Sequence, residues 1–295
     1  MSAAPPLRRV RSGGLTIAVR EHSPSGSGRP TVVLVHGYPD QQDTWDALVS
    51  RLPLDAWHVV TYDVRGAGSS DAPADRHGYG CERLVDDLVA VLDEVLTGDE
   101  PVHLVGHDWG SAALWDAVAA ESTDPRLNRR IASYTSISAP SLDHVAWLVR
   151  HPRGRRLALL RQLLRSWYIG LFCLPLLPVL LWRFGHPRLA RAGERREGLP
   201  RGHWGPGLGR NAVNGLGLYR ANKFRAPRRS GRLHTAVPVL VIQPERDHYI
   251  GEVFLQGLHD AYDDLTVERL DAGHWVIVNQ AEAVAALVVR HVASH

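Results

Sequence analysis

The sequence Gly106-His107-Asp108-Trp109-Gly110 decides how this chain folds, because it has the pattern of a nucleophile elbow with aspartate in place of the usual serine. A short β-rich run, Pro101 to Val105, precedes it, and a run of small and apolar residues, Ser111 to Ala120, follows it. These runs predict a buried strand and a helix on either side of a sharp turn. A surface aspartate in an ordinary turn gives the same short pattern, so the rest of the chain must decide between the two.

An aspartate at this position changes the chemistry that the turn can support. An ionised carboxylate needs no base to remove a proton, and it can attack a saturated carbon that carries a leaving group. The product is an alkyl ester of the enzyme. Asp108 therefore indicates the opening of epoxides or the displacement of halides, rather than the cleavage of ordinary esters.

A second loop is predicted to face Asp108. His36-Gly37-Tyr38-Pro39 follows the apolar strand Thr31 to Val35 directly, which places it at the carboxyl edge of an α/β sheet, where ligands bind. The backbone N–H groups of Tyr38 and of Trp109, the residue after the nucleophile, would form a hole for an oxyanion.

Two further residues complete a catalytic triad in the order nucleophile, acid, histidine. Asp247 comes just after the apolar run Val237 to Ile242, and His274 stands in Gly273-His274-Trp275 after the short run Val267 to Leu270. We expect His274 to activate water and Asp247 to orient the imidazole. Glu245 is the alternative acid.

Length and composition favour one α/β unit with an insertion. The chain has 295 residues and two cysteines, Cys81 and Cys173, with no metal-ligand spacing, and a reducing, cytoplasmic setting fits. No signal-peptide pattern is seen at the N-terminus, and the apolar run Ile169 to Trp182 is too short to span a bilayer. Further predicted strands are Gly13 to Val19, His58 to Tyr62 and Ile131 to Ser138. Further predicted helices are Thr44 to Arg51, Cys81 to Leu96, Ser141 to Arg150, Arg155 to Tyr168 and Ala281 to Ala293, and a loop is predicted from Gly198 to Gly209.

The charge distribution marks the insertion. Residues 141–232 hold 18 arginines and one lysine against three acids, whereas the rest holds 15 basic residues against 28 acids. We therefore predict a core from residues 1–140 and 233–295 and a helical cap from residues 141–232. No nucleic-acid-binding motif accompanies the arginines, so we expect solvated helix faces that pair with the acidic core, or a peripheral contact with an anionic membrane surface.

The chain contains five motifs that belong together, HGYPD, YDVRGAGSSDAP, GHDWG, PERD and GHW. With them it resembles the epoxide hydrolases of the α/β-hydrolase fold, over roughly residues 15–290. A more specific similarity rests on three segments, DVRGAGSSDAP, SAPSLDH and LLRSWYIGLF. They are similar to the hydrolase half of actinobacterial-type enzymes in which an epoxide hydrolase is fused to a short-chain dehydrogenase. The resemblance implies an α/β-hydrolase fold, with a mostly parallel central sheet flanked by helices and an inserted helical lid.

The resemblance also implies roles for residues of the cap. Tyr168 and Tyr219 match the pair of tyrosines that donate hydrogen bonds to the epoxide oxygen, which is a poor leaving group without a proton donor. We expect an apolar substrate pocket, an apolar epoxide and water as the reactants, and neither metal nor cofactor. Residues expected to bind substrate are His36, Pro39, Trp167, Phe172 and Trp275. The chain departs from its relatives at Cys173, where Gln is common, and at Tyr38, where Phe is common.

Three other functions stay open from the sequence. A haloalkane dehalogenase shares the triad and Trp109, but it usually has a second halide donor, often Asn, at the position of Tyr38. A fluoroacetate-type dehalogenase is favoured less, because Trp109 replaces the arginine of its GHDRG pattern. The third class is a binding protein of this fold without catalysis. The oligomeric state is not predicted.

Overall fold

A sheet of eight strands runs through the part of the chain described by the computed structural model, which comprises residues 5–26, 28–98, 100–152, 154–223, 235–259 and 262–295. The strands lie in the order β1-β2-β4-β3-β5-β6-β7-β8. From β4 to β8 neighbouring strands are parallel, while β1 and β2 pair antiparallel at one edge. The strands are β1 Leu7–Ser12, β2 Leu15–Glu21, β3 Thr31–Val35, β4 His58–Tyr62, β5 Val102–His107, β6 Ile131–Ile137, β7 Val239–Pro244 and β8 Leu265–Leu270.

The central strands are buried along their whole length. Every residue of β3, β4, β5 and β7 is buried, as expected for parallel strands that helices cover on both faces. This confirms the mostly parallel sheet predicted from the continuous apolar runs. The strand β1 was not predicted, because its exposed arginines interrupt the apolar pattern and Gly13 and Gly14 form a tight turn into β2.

Helices cover the sheet in two layers. One apolar cluster holds α2 and α3 against the sheet, and a second cluster holds α1, α9 and α10. The core helices are α1 Asp46–Val49, α2 Cys81–Val95, α3 Trp109–Ala120, α9 Val276–Asn279 and α10 Ala281–Ala293, and the cap helices are α4 Leu142–Arg150, α5 Arg156–Arg165, α6 Trp167–Phe172, α7 Leu177–Glu197 and α8 Leu208–Asn222. Short 3-10 helices form at Gln42–Trp45, Arg76–Tyr79 and Glu252–Leu255.

The cap is more helical than the sequence predicts. The predicted helix Arg155 to Tyr168 is divided at Ser166 into α5 and α6, and the long helix α7 was not predicted because its prolines suggested breaks. Pro178 stands in the first turn of α7, where its missing N–H costs no helical hydrogen bond. The helix α8 begins inside the predicted loop. The predicted boundary between residues 232 and 233 lies outside the described residues.

Among the helices described, none is both long enough and apolar enough to span a membrane.

The topology brings four loops together. Because β3, β5, β7 and β8 are parallel, their carboxyl ends lie at one edge of the sheet. The loops that follow them carry Tyr38, Asp108, Asp247 and His274 in turn. The cap helices α4 to α8 are inserted between β6 and β7, and they cover this edge.

Candidate active site

Asp108 stands at the turn between β5 and α3. Its backbone has φ +49° and ψ −125°, outside the regions that non-glycine residues usually adopt. Such a conformation costs about 1–3 kcal/mol and persists only where the surrounding structure enforces it. The turn lifts the Asp108 carboxylate above the sheet, where its side chain keeps 16% of its surface exposed.

Two glycines let the chain approach this turn closely. A Cβ on Gly110 would collide with the carbonyl oxygens of Val35 and His36, and a Cβ on Gly37 would collide with the side chain of Asp108. Glycine is therefore required at both positions by contact with neighbouring groups, which explains the spacing of the elbow sequence.

The loop after β3 aims a backbone donor at Asp108. The N–H of Tyr38 donates to Oδ1 of Asp108 at 2.8 Å. Trp109 follows Asp108 as the first residue of α3, the position expected for a second donor. The Tyr38 N–H is already placed at the oxygen that would become negative if an ester of Asp108 were attacked.

His274 lies between the two carboxylates. Its Nδ1 is 2.8 Å from Oδ2 of Asp247, and its Nε2 is 3.6 Å from Oδ2 of Asp108. Oδ1 of Asp247 accepts the backbone N–H groups of Tyr249 and Ile250 at 2.7 and 3.0 Å. Asp247 is thus fixed from both sides, whereas the alternative acid Glu245 is exposed to solvent.

The carboxylates decide the charge of His274. Burial lowers the pKa of this imidazole, but the charge of Asp247, its hydrogen bond at 2.8 Å and the nearby Asp108 carboxylate outweigh burial and raise the pKa well above its ordinary value. Burial raises the pKa of Asp247, and His274 reverses that effect and keeps the pKa below its ordinary value. The two carboxylates therefore favour the protonated form of His274.

Tyr168 and Tyr219 meet above Asp108. Tyr168 lies on α6 and Tyr219 on α8, and their ring centroids are 6.2 Å apart. Burial, with the nearby Asp108 charge, raises the pKa of both phenols, with Tyr168 also adding to the shift of Tyr219. Both hydroxyls therefore stay protonated, as hydrogen-bond donors must.

Two cavities meet at Asp108. The larger, of about 650 Å³, extends from Asp108 between α4 and α5, and the smaller, of about 350 Å³, extends toward α6 and α7. Both are lined by Tyr168 and Tyr219 and have mostly apolar walls. The nucleophile thus lies where two apolar arms join.

Three of the residues expected to bind substrate line the smaller cavity, namely Trp167, Phe172 and Trp275. His36 and Pro39 line neither of these two cavities, and their role in binding substrate stays a prediction. The ring of His36 is buried, with Nδ1 2.9 Å from the Gly37 carbonyl oxygen and Nε2 accepting the N–H of Val64 at 2.9 Å. His36 therefore supports the loop from below.

Three residues of the site were not identified from the sequence, namely Tyr249, Gln162 and Asp40. Tyr249 lines both cavities, and its ring centroid lies 4.9 Å from that of His274 and 5.5 Å from that of Tyr168. Gln162 of α5 donates to the Tyr249 carbonyl at 2.7 Å and accepts the N–H of Gly251 at 2.9 Å. Gln162 thereby links the cap to the loop that carries Asp247.

Asp40 forms a second link between cap and core. Its buried carboxylate accepts the indole N–H of Trp204, from the cap, at 2.7 Å and that of Trp275, from the core, at 2.9 Å. The position of Asp40 within HGYPD was the available signal, but its partners are more than 160 residues away in sequence.

Comparison with known sequences agrees with this geometry. The alpha/beta hydrolase fold family matches residues 30–167. The probable oxidoreductase EphD of Mycobacterium tuberculosis is 35% identical over 291 residues, which cover 93% of this chain and 47% of that protein. Epoxide hydrolase A of the same organism is 36% identical over 140 residues, which cover 47% of this chain and 40% of that protein. The chain spans about half the length of these curated relatives.

Comparison with solved structures concerns the fold. The crystal structure of an epoxide hydrolase from Bacillus megaterium in complex with an inhibitor superposes with a TM-score of 0.77, at 20% identity, over 96% of this chain and 99% of that one. This likeness confirms the fold predicted from the sequence. The match to half of a relative named as an oxidoreductase agrees with the resemblance to the hydrolase half of a fused enzyme.

Proposed function

We propose that this chain, which has the α/β-hydrolase fold, is an epoxide hydrolase that converts an apolar epoxide and water into a vicinal diol. The observation that carries the proposal is the environment of Asp108. One of its oxygens accepts a backbone N–H, the other faces His274, and the half-buried Tyr168 and the buried Tyr219 line the same apolar cavities.

In the first step, Oδ2 of Asp108 attacks a ring carbon of the epoxide. Oδ1 is the less reactive oxygen, because the Tyr38 N–H already occupies it. The carbon–oxygen bond of the ring breaks as the ester bond forms. Tyr168 and Tyr219 donate hydrogen bonds to the departing oxygen, and one of the two phenols passes its proton to that oxygen as negative charge develops. The proton that His274 gives up when the ester forms restores this phenol. The product is a hydroxyalkyl ester of Asp108.

Formation of the ester prepares the second step. The charge of Asp108 helps to raise the pKa of His274 in the resting site, and the ester carries no such charge. The imidazole therefore releases its proton more readily once Asp108 is alkylated, and it can act as a base only then. Asp247 stays ionised and keeps Nδ1 protonated, so that Nε2 is the atom that accepts a proton.

In the second step, His274 takes a proton from water, and the hydroxide attacks the ester carbon of Asp108. The oxyanion forms on Oδ1, where the Tyr38 N–H donates, with the Trp109 N–H as the proposed second donor. On collapse the remaining water proton passes to the departing alkoxide, which leaves as the diol. The Asp108 carboxylate is restored with one oxygen from water, and His274 keeps the first water proton.

A variant that stops between the steps tests this mechanism. His274→Ala removes the base but leaves Asp108 free to react, so we expect intact mass spectrometry to show a gain equal to one whole epoxide. Peptide mapping should place the added mass on Asp108. Asp108→Ala is the matched control, and it should show neither adduct nor turnover. An adduct on another residue, or turnover by Asp108→Ala, would contradict the proposal.

Displacement of halide is the second reaction open to this nucleophile. Tyr38 offers no side-chain amide to a halide, and the Trp109 ring packs edge-on against the ring of Tyr219, with centroids 5.0 Å apart. A panel of haloalkanes in the same experiment separates the two reactions, because a haloalkane adds its mass minus that of HX. A haloalkane adduct without any epoxide adduct would assign the chain to dehalogenation, and no adduct from either panel would favour a binding role.

The setting of the reaction is proposed from the sequence. We propose a cytoplasmic location, because the chain contains two cysteines and neither forms a disulfide in the part of the chain that the structure describes. We also propose that the arginine-rich cap contacts membranes peripherally. Cell fractionation with the full chain tests both statements, and recovery in an exported fraction would contradict the first.

A further inference from the structure

The outer surface of the cap exposes an unusual amount of apolar surface. Fourteen large hydrophobic side chains are exposed in the part of the chain that the structure describes, and all except Leu7 lie between residues 149 and 189. Proteins rarely leave large apolar patches in contact with water unless the patch binds something. This surface of α4 to α7, together with the turns between them, is called the cap face below.

Two helices turn apolar stripes outward on the cap face. Leu157, Leu160 and Leu164 are exposed on α5, at spacings of three and four residues that place them on one side of the helix. On α7, the exposed residues Leu177, Leu181 and Phe184 repeat the same spacing. A helix that packs only against its own domain buries its apolar stripe, whereas these stripes point to solvent.

The exposed charges of the cap have one sign. Residues 141–223 contain three acidic side chains, Asp143, Glu194 and Glu197, and all three are buried. The arginines of α5 and α7 stand among the apolar stripes and include the exposed Arg161, between Leu160 and Leu164, and Arg188, one turn beyond Phe184. A partner with negative charge around an apolar interior therefore complements the cap face.

The cavities reach the cap face. Leu160 and Leu163 are exposed and also line the larger cavity. Trp167 and Leu181 are likewise exposed and line the smaller cavity. Each arm of the site thus ends among side chains that belong to the exposed apolar surface.

We propose that the cap face docks on an anionic lipid bilayer, with the stripes of α5 and α7 in the headgroup region and the arginines beside lipid phosphates. Amphipathic helices of this composition bind in the plane of the membrane interface. Where the proposed function holds, an apolar epoxide dissolved in the bilayer reaches Asp108 through either cavity without crossing water.

Co-sedimentation of the full chain with lipid vesicles tests the docking directly. We expect binding to vesicles of phosphatidylcholine mixed with phosphatidylglycerol, and much weaker binding to phosphatidylcholine alone. Added salt should weaken the binding, because it screens exposed charges. Equal binding to both kinds of vesicle, or binding to neither, would overturn the proposal.

Paired variants separate the apolar from the charged contribution. Leu164, Leu176 and Phe184 are 67%, 69% and 71% exposed and line neither cavity, so the combined change of all three to Ser spares the site. We expect this variant to partition into mixed vesicles about tenfold or more weakly. Arg161→Gln with Arg188→Gln should cost about 25-fold, since each arginine near an anionic surface contributes about fivefold.

Matched controls change similar residues outside the cap. Leu7→Ser, and separately Arg9→Gln with Arg76→Gln, should bind mixed vesicles as the wild type does. If the cap variants bind as well as these controls, the cap face is not the docking surface. Sedimentation velocity without lipid supplies a further check, because a dimer that the triple Ser variant dissolves would assign the face to a second copy of the chain.

Turnover measurements keep this proposal distinct from the proposed function. On a small, water-soluble epoxide the cap variants should match the wild type, because no residue of the site has changed. On an apolar epoxide carried in mixed vesicles, the wild type and the controls should show a higher kcat/KM than the cap variants. If the wild type turns over neither substrate, the proposed function fails, and the vesicle experiment still decides whether the cap docks.

Discussion

At the scale of single residues, the two oxygens of Asp108 have different surroundings. Oδ1 is held by the Tyr38 N–H, while Oδ2 is 3.6 Å from the imidazole of His274. The carboxylate is therefore oriented before substrate arrives, and little reorganisation is needed when it attacks. The strained backbone of Asp108 serves the same end, because it holds the side chain clear of the sheet.

The tyrosines can be tested by removing their hydroxyls alone. Tyr168→Phe and Tyr219→Phe should each slow alkylation of Asp108 by about 10²- to 10⁴-fold, the usual contribution of a general acid. Single-turnover kinetics with a His274→Ala background measure that step by itself. Tyr262→Phe is the matched control, since Tyr262 is a buried tyrosine that lines neither cavity. Equal rates for all three variants would remove the tyrosines from the mechanism.

At the scale of elements, the strand, turn and helix around Asp108 depend on close contact with the neighbouring strand. Gly110→Ala would push a methyl group into the carbonyl oxygens of Val35 and His36, which are backbone atoms and cannot swing aside. We expect a loss of several kcal/mol in the free energy of unfolding, comparable with the largest effects of single substitutions. Denaturant unfolding measures it.

A glycine elsewhere in the molecule gives the comparison. Gly170 lies in α6 with open space around the position of a Cβ, so Gly170→Ala should be neutral or slightly stabilising. If Gly110→Ala unfolded at the same denaturant concentration as Gly170→Ala, the close packing of the elbow would be disproved.

Elements differ in how well the sequence predicts them. The buried strands β3 and β4 were predicted with their observed bounds, because a short continuous run rich in β-branched residues is typical of a strand buried on both faces. The helix α7 was missed because Pro178 and Pro187 suggest breaks, and tertiary packing overrides that local signal. Convergence of Tyr168 and Tyr219 depends on the arrangement of α6 and α8, which spacing in the sequence does not encode. The family resemblance supplied it.

For the whole molecule, the pair His274 and Asp247 couples folding to pH. The pKa of Asp247 is lowered in the folded state, so its contribution to stability is present above its ordinary value of 3.8 and is lost as the pH falls through the folded pKa. The pKa of His274 is raised, so its contribution is complete below 6.5 and is lost as the pH rises through the folded pKa. The benefit of the pair is therefore greatest between these two values.

The difference between wild type and His274→Gln in the free energy of unfolding should follow that profile. We expect it to be largest between pH 3.8 and 6.5 and to decline on both sides. Denaturant titrations in a series of buffers measure it. His77→Gln, at an exposed position outside the site, should give a flat difference, and a flat result for His274→Gln as well would refute the charge arrangement.

The carboxylate of Asp40 fastens one corner of the cap to the core. Lifting that corner would remove the Trp204 indole N–H from the buried Asp40 carboxylate and leave the Trp275 indole as its remaining indole donor. Each buried polar group left unpaired costs about 1–3 kcal/mol. Wholesale opening of the lid is thus a rare event. Where the proposed function holds, the ends of the two cavities among exposed residues of the cap face give substrate and diol a route that leaves this corner closed.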